Sequence, residues 1–123
     1  MMKKTLILIL LLSSVLAFSQ KQINSNGKKI CRIYSEDEVV CEVSNEKTSF
    51  IFDEKNGTIK RVIDNIEDIF LIDSIEDITD KKIKTYKVKT KFGEKININL
   101  SSNKITFNYI DNKNFYIEYE KKE

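Results

Sequence analysis

Apolar and polar positions alternate with a period of two through most of the chain's C-terminal third. Tyr86, Val88, Thr90 and Phe92 alternate with Lys87, Lys89 and Lys91, and Gly93-Glu94 then turns the chain. Ile96, Ile98 and Leu100 alternate with Lys95, Asn97 and Asn99 up to a second turn at Ser101-Ser-Asn103. Ile105, Phe107 and Tyr109 follow, and after Asp111-Asn-Lys-Asn114 come Phe115, Ile117 and Tyr119. Side chains of a strand point alternately to opposite faces, so this predicts a four-strand antiparallel meander, apolar on one face. Such a sheet must cover its apolar face with a second layer or close on itself.

The period continues toward the N-terminus. Phe50 and Phe52 share one face with Ile51 opposite, and Thr58–Ile63 returns after Asp53-Glu-Lys-Asn-Gly57. Asn56-Gly57 supplies the positive φ of a tight hairpin. Lys28–Tyr34 and Val39–Val43 read as two more strands around Ser35-Glu-Asp-Glu38. The middle, Asp64–Asp80, fits neither period cleanly. Ile63, Ile66 and Phe70 suit a helix, whereas Ile69, Leu71 and Asp73, or Phe70 and Ile72, suit a strand. Its β-branched residues favour strand, with a short helix or an irregular crossover as the alternative. The expected fold is all-β: one antiparallel meander domain over residues 28–120, either a small barrel or a two-layer sandwich. Gln20–Gly27 reads as a loose polar lead-in and residues 121–123 as a charged tail.

One segment stands apart from these patterns. Met1-Met-Lys-Lys precedes an apolar run from Leu6 to Phe18 that only Ser13 and Ser14 interrupt, and Ala17-Phe18-Ser19 suits a signal peptidase. Residues 1–19 therefore read as a secretory signal peptide cut before Gln20. A spanning helix needs about 20 apolar residues, more than this run has. The lysine pair, the short apolar core and the glutamine after the cut resemble exported proteins of Bacteroidota. That resemblance implies a periplasmic or extracellular location.

Cleavage changes the rest of the composition. It leaves about 104 of the 123 residues, enough for one modest core. It also removes Lys3 and Lys4 from a formal charge of +2, leaving the chain near neutral. A near-neutral chain has no overall field that favours nucleic acid or an anionic membrane. Export makes a disulfide between Cys31 and Cys41, the only cysteines, the expected outcome. A register placing Ile33 opposite Val39 puts Cys31 opposite Cys41.

Little of the remaining composition suggests catalysis. Histidine is absent, so Ser-His-Asp and Cys-His arrangements cannot form. No phosphate-binding glycine loop or zinc signature occurs, and no cofactor or metal is expected. A carboxylate-based hydrolase is the one enzymatic alternative, because 19 acidic residues are present. Seven acids, Asp64, Glu67, Asp68, Asp73, Glu76, Asp77 and Asp80, precede a lysine row running from Lys81 to Lys95. If the two stretches are neighbours, opposite charges face each other across strands.

The function expected from these features is a small exported binding protein, most simply a protein-binding module. Tyr34, Glu36, Asp37 and Tyr116 are its candidate partner contacts, and the 64–80 stretch is a further place to look. The second reading is a barrel carrying a small apolar ligand, lined by Phe92, Phe107, Tyr109, Phe115 and Tyr119.

Overall fold

The computed structural model describes residues 20–122; the expected signal peptide lies outside the described residues. The described residues form nine strands and no helix. They are β1 (Gln20–Ser35), β2 (Glu38–Ser44), β3 (Thr48–Asp53), β4 (Thr58–Ile63) and β5 (Ile66–Ile78). The C-terminal four are β6 (Ile83–Lys89), β7 (Lys95–Leu100), β8 (Lys104–Tyr109) and β9 (Phe115–Lys121). Every pairing is antiparallel. From β3 to β9 each strand pairs with the next, and β9 returns to β1. The result is an eight-strand barrel with β2 as an extra strand, which decides between the two expected architectures.

β1 makes this closure possible. Its lower half, Gln20–Ser25, pairs with β3, and its upper half, Lys28–Ser35, pairs with β2 on the same edge. The opposite edge carries β9 from Ser25 to Arg32. The register shifts between Ser25 and Gly27. There the buried Ser25 hydroxyl donates to the Gly27 carbonyl at 2.9 Å and accepts from the Gly27 amide at 3.4 Å. The bulge reverses which residues face inward. Ile23 and Ser25 face in below it, while above it Lys28 and Ile30 stand opposite the inward-facing Tyr119 and Ile117.

Gln20–Gly27 is therefore strand, not the loose lead-in its polarity suggests. One face of this segment looks outward and is polar, and the other carries only Ile23 and the self-satisfied Ser25 into the core. The expected tail is likewise shorter. Lys121 still belongs to β9, and the Lys122 amide donates to the Asn24 carbonyl at 2.8 Å. The middle of the chain is the 13-residue strand β5, so the helix alternative falls. β5 pairs with β4 as far as Leu71 and with β6 from Leu71 onward, with a register shift between Ile72 and Ser74.

Side chains from all the barrel strands fill the interior. Phe50 lies edge-on to Tyr119 at 4.8 Å between ring centroids, and Phe107 lies 5.5 Å from both Tyr119 and Phe70. Phe52 packs on Tyr86 at 5.2 Å. Ile59, Ile96, Ile98 and Ile105 close the space around these rings. Each fully buried side chain of this size contributes about 1.5–3 kcal/mol relative to exposure. The alternation expected for β6–β9 holds except at Phe92, which is 87 % exposed in the turn after β6.

Candidate functional site

Take as the upper end of the barrel the end where β1 finishes. There β1 and β2 rise as a hairpin around a turn at Glu36 and Asp37, with Ile33 opposite Val39 and Cys31 opposite Cys41 as the spacing predicts. The two cysteines are disulfide-bonded, with Cα atoms 4.1 Å apart. β2 continues the line of β3, but β4 stops pairing at Val62, so nothing among the described residues pairs with β2 on its far side. It is a stapled wing with one open edge.

The wing's surface is mixed. Val39, Val40 and Val43 are 47 %, 48 % and 72 % exposed. Tyr116, Cys31 and Cys41 form one row across β9, β1 and β2 on the outer face. Cys31 is covered there, Tyr116 is half-buried and Cys41 is exposed. Tyr34, 64 % exposed, sits where the β1 register shifts near the tip. Glu36, Asp37, Glu38 and Glu42 are all exposed. Arg32 reaches Glu42 only at 3.9 Å, while its guanidinium lies 5.8 Å above the Phe115 ring. At the base of the wing Lys28 holds Glu46 at 2.8 Å. The structure thus gathers the four predicted contact residues, Tyr34, Glu36, Asp37 and Tyr116, on the wing and the outer face beside it.

The upper mouth carries a second cluster. Arg61 sits on an inward-facing position of β4, two residues after Ile59. Its guanidinium lies 5.3 Å from the Phe70 ring and 5.5 Å from the Phe107 ring. It donates to the Tyr119 hydroxyl at 3.2 Å and to the Asp68 carboxylate at 3.0 Å. Burial works against the charge on Arg61, yet Tyr119 and Asp68 more than offset it and hold the group above its ordinary pKa. Burial pushes the nearby Tyr109 hydroxyl up, with Arg61 opposing. Beside this cap a cavity of about 390 Å³ opens between β5 and the turn after β6, rimmed by Ile69, Leu71, Lys91 and Phe92. Arg61 is not among the residues singled out from the sequence, although a charge between Ile59 and Ile63 on the apolar face of the alternation is a signal that could have found it.

Four of the seven acids of residues 64–80 are matched by bases across strands, Asp68 by Arg61 and three by lysines. Lys60 meets Glu67 at 3.5 Å, Lys89 meets Asp73 at 3.6 Å and Lys87 meets Glu76 at 2.9 Å. Exposed pairs of this kind contribute about 0–1 kcal/mol each and help fix register. No group of three or more potential metal-ligating side chains is found among the described residues. The five aromatics named as ligand liners are dispersed. Phe107 and Tyr119 belong to the packed core, Tyr109 and Phe115 stack at the upper mouth 5.2 Å apart, and Phe92 is exposed in its turn. No helix of the described residues is long and apolar enough to cross a membrane.

Comparison with family models, with characterised proteins and with solved structures finds no match to this chain.

Proposed function

We propose that this protein is an exported protein-binding module that takes up an extended, basic segment of its partner as an added strand on β2. The observation that carries this reading is the open edge of β2, which has three exposed valines and lies outside the closed barrel. Soluble sheet proteins blunt such edges with charged side chains, lysine above all, or with proline, bulges or very short strands; the charges on β2, Glu38 and Glu42, leave its edge open to a basic strand. β2 runs for seven residues, Glu-Val-Val-Cys-Glu-Val-Ser, with neither lysine nor proline. A partner strand would gain main-chain hydrogen bonds there, and alternate side chains would supply the specificity.

The staple and the charges refine the reading. The disulfide holds β2 to β1 in one register, so less order is lost when a partner strand arrives. Glu36, Asp37, Glu38 and Glu42 favour lysine or arginine on that strand. An oxidising compartment suits the disulfide, in keeping with export to the periplasm or cell exterior.

A random peptide library panned on the purified protein, with counter-selection on Val39→Lys/Val43→Lys, tests this. Selected peptides should alternate β-branched with basic residues, and they should shift the backbone amide signals of β2. Selection that yields no such peptides, or peptides that leave the β2 amides unmoved, would overturn it.

A further inference from the structure

Four lysines converge on the lower mouth of the barrel. Lys21 lies two residues before the buried Ile23, Lys84 two before the buried Tyr86 and Lys121 two after the buried Tyr119. Alternation therefore turns all three toward the inside, just below the last core layer. Lys82, in the turn before β6, joins them. The four line one open cavity of about 340 Å³ with Leu100, Ser101, Ser102, Ile83 and Asp77.

Acidic compensation in this mouth is incomplete. Lys84 is held by Glu54 at 2.7 Å, and the Lys121 ammonium donates to the Ser101 carbonyl at 3.0 Å. Lys21 and Lys82 make no ion pair with a described residue. Lys82 also holds a left-handed backbone at φ 53°, a conformation that L-residues with long side chains adopt at a cost. Burial, joined by repulsion from Lys21, lowers the Lys121 amino group below its ordinary pKa.

We infer that this lower mouth binds a doubly charged tetrahedral oxyanion, a phosphate either free or carried as a monoester on a small polar molecule. An anion there would relieve the repulsion between Lys21 and Lys121 and accept charge-assisted hydrogen bonds from several of the lysines. The cavity exceeds the size of a bare phosphate group, so a sugar-sized substituent also fits. The site is independent of the wing, on the opposite end of the barrel.

Titration of isotope-labelled protein with inorganic phosphate, at ionic strength held constant with chloride, tests the inference. The amides of Lys82, Ser101 and Ser102 should shift saturably, with a Kd of about 1 mM or lower. Lys21→Gln/Lys82→Gln/Lys121→Gln should weaken binding roughly tenfold or more for each lysine removed. Lys87→Gln/Lys89→Gln, on the outer wall, should bind phosphate like the parent. Equal shifts with chloride alone, no saturation, or unchanged affinity in the triple variant would each overturn the site. A parallel titration with glucose 6-phosphate separates the two sources. Tighter binding than inorganic phosphate indicates an ester, and equal or weaker binding indicates the free ion.

Discussion

Cys31 and Cys41 stand directly opposite each other on β1 and β2, one covered by its neighbours and the other open to solvent, and their sulfurs are bonded. The bond joins the barrel wall to a strand that has a ladder on one side only. Sheet edges of this kind fray first, because half of their backbone groups lack a partner. The covalent link offsets that weakness where the protein most needs a fixed strand for its proposed role.

The loop closed by the disulfide is short, with a sequence separation of 10. Closing it removes conformational freedom from the unfolded chain worth about 2–3 kcal/mol. Cys31→Ser/Cys41→Ser should lower unfolding stability by that amount in denaturant titration. Its β2 amides should exchange with solvent before those of β7 and β8. A denaturation midpoint unmoved by reduction, or β2 protection equal to that of β7, would count against the stapling role.

Arg61 is held by two aromatic faces, a tyrosine hydroxyl and one carboxylate, so its loss should be felt beyond charge. Arg61→Met fills part of the volume but leaves Tyr119 and Asp68 without their donor. The cost should be about 2–3 kcal/mol in denaturant titration. Arg61→Lys should recover little of it, because a point charge cannot reach both partners in the geometry of a planar fork. Arg61→Met should also raise the pKa of Tyr109 further, since Arg61 opposes the effect of burial there, whereas the charge retained in Arg61→Lys should limit that rise. Absorbance titration of tyrosinate reads that direction, and a fall would contradict the arrangement.

Much of the barrel was legible in sequence because β6–β9 keep one face inward without interruption. The β1–β2 register was legible too, since a short acidic turn and the cysteine spacing leave one pairing that joins Cys31 to Cys41. Two features obscured the rest. Ser25 and Gly27 form a bulge through a local hydrogen bond that has no apolar signature, so the strand below it read as a loose lead-in. β5 changes partner at Leu71 and carries exposed Ile66, Ile69, Leu71, Ile75 and Ile78 around the buried Phe70, so no single period runs through it. Phe92 continued the alternation of β6 in sequence although the strand had already ended. For the candidate site, composition marked the acidic tip and the tyrosines. The open edge of β2 depends on how far β4 extends, a non-local fact that no local pattern carries.

Asp53 should contribute to acid sensitivity. Its carboxylate accepts from the Asn56 side chain at 2.7 Å, from the Asn56 amide at 3.2 Å and from Gln20 at 3.1 Å. The Asn56 side chain is the largest influence, and these bonds hold Asp53 below the ordinary carboxylate value of 3.8 against the opposing effect of burial. The folded state therefore binds this proton less readily than the unfolded state. The stabilisation is fully present above the ordinary value and is lost as pH falls through the lower, folded value. Asp53→Asn should flatten the fall in urea midpoint between about pH 6 and about pH 2.5 relative to the parent. Parallel profiles would sink this assignment.

The hairpin between β3 and β4 gives a test of backbone geometry free of packing. Gly57 has φ of +69°, and a Cβ built on it would meet nothing within 4 Å. Any cost of Gly57→Ala therefore comes from the left-handed conformation alone, about 1 kcal/mol. Gly57→Asn should cost less, since asparagine tolerates that region better. Gly27 provides the contrast. It has no positive φ, and a Cβ there would meet the Ser44 carbonyl at an ordinary 3.6 Å. Gly27→Ala should change the urea midpoint little, or raise it by stiffening the unfolded chain. If Gly57→Ala proves as neutral as Gly27→Ala, the turn does not hold the left-handed conformation in solution.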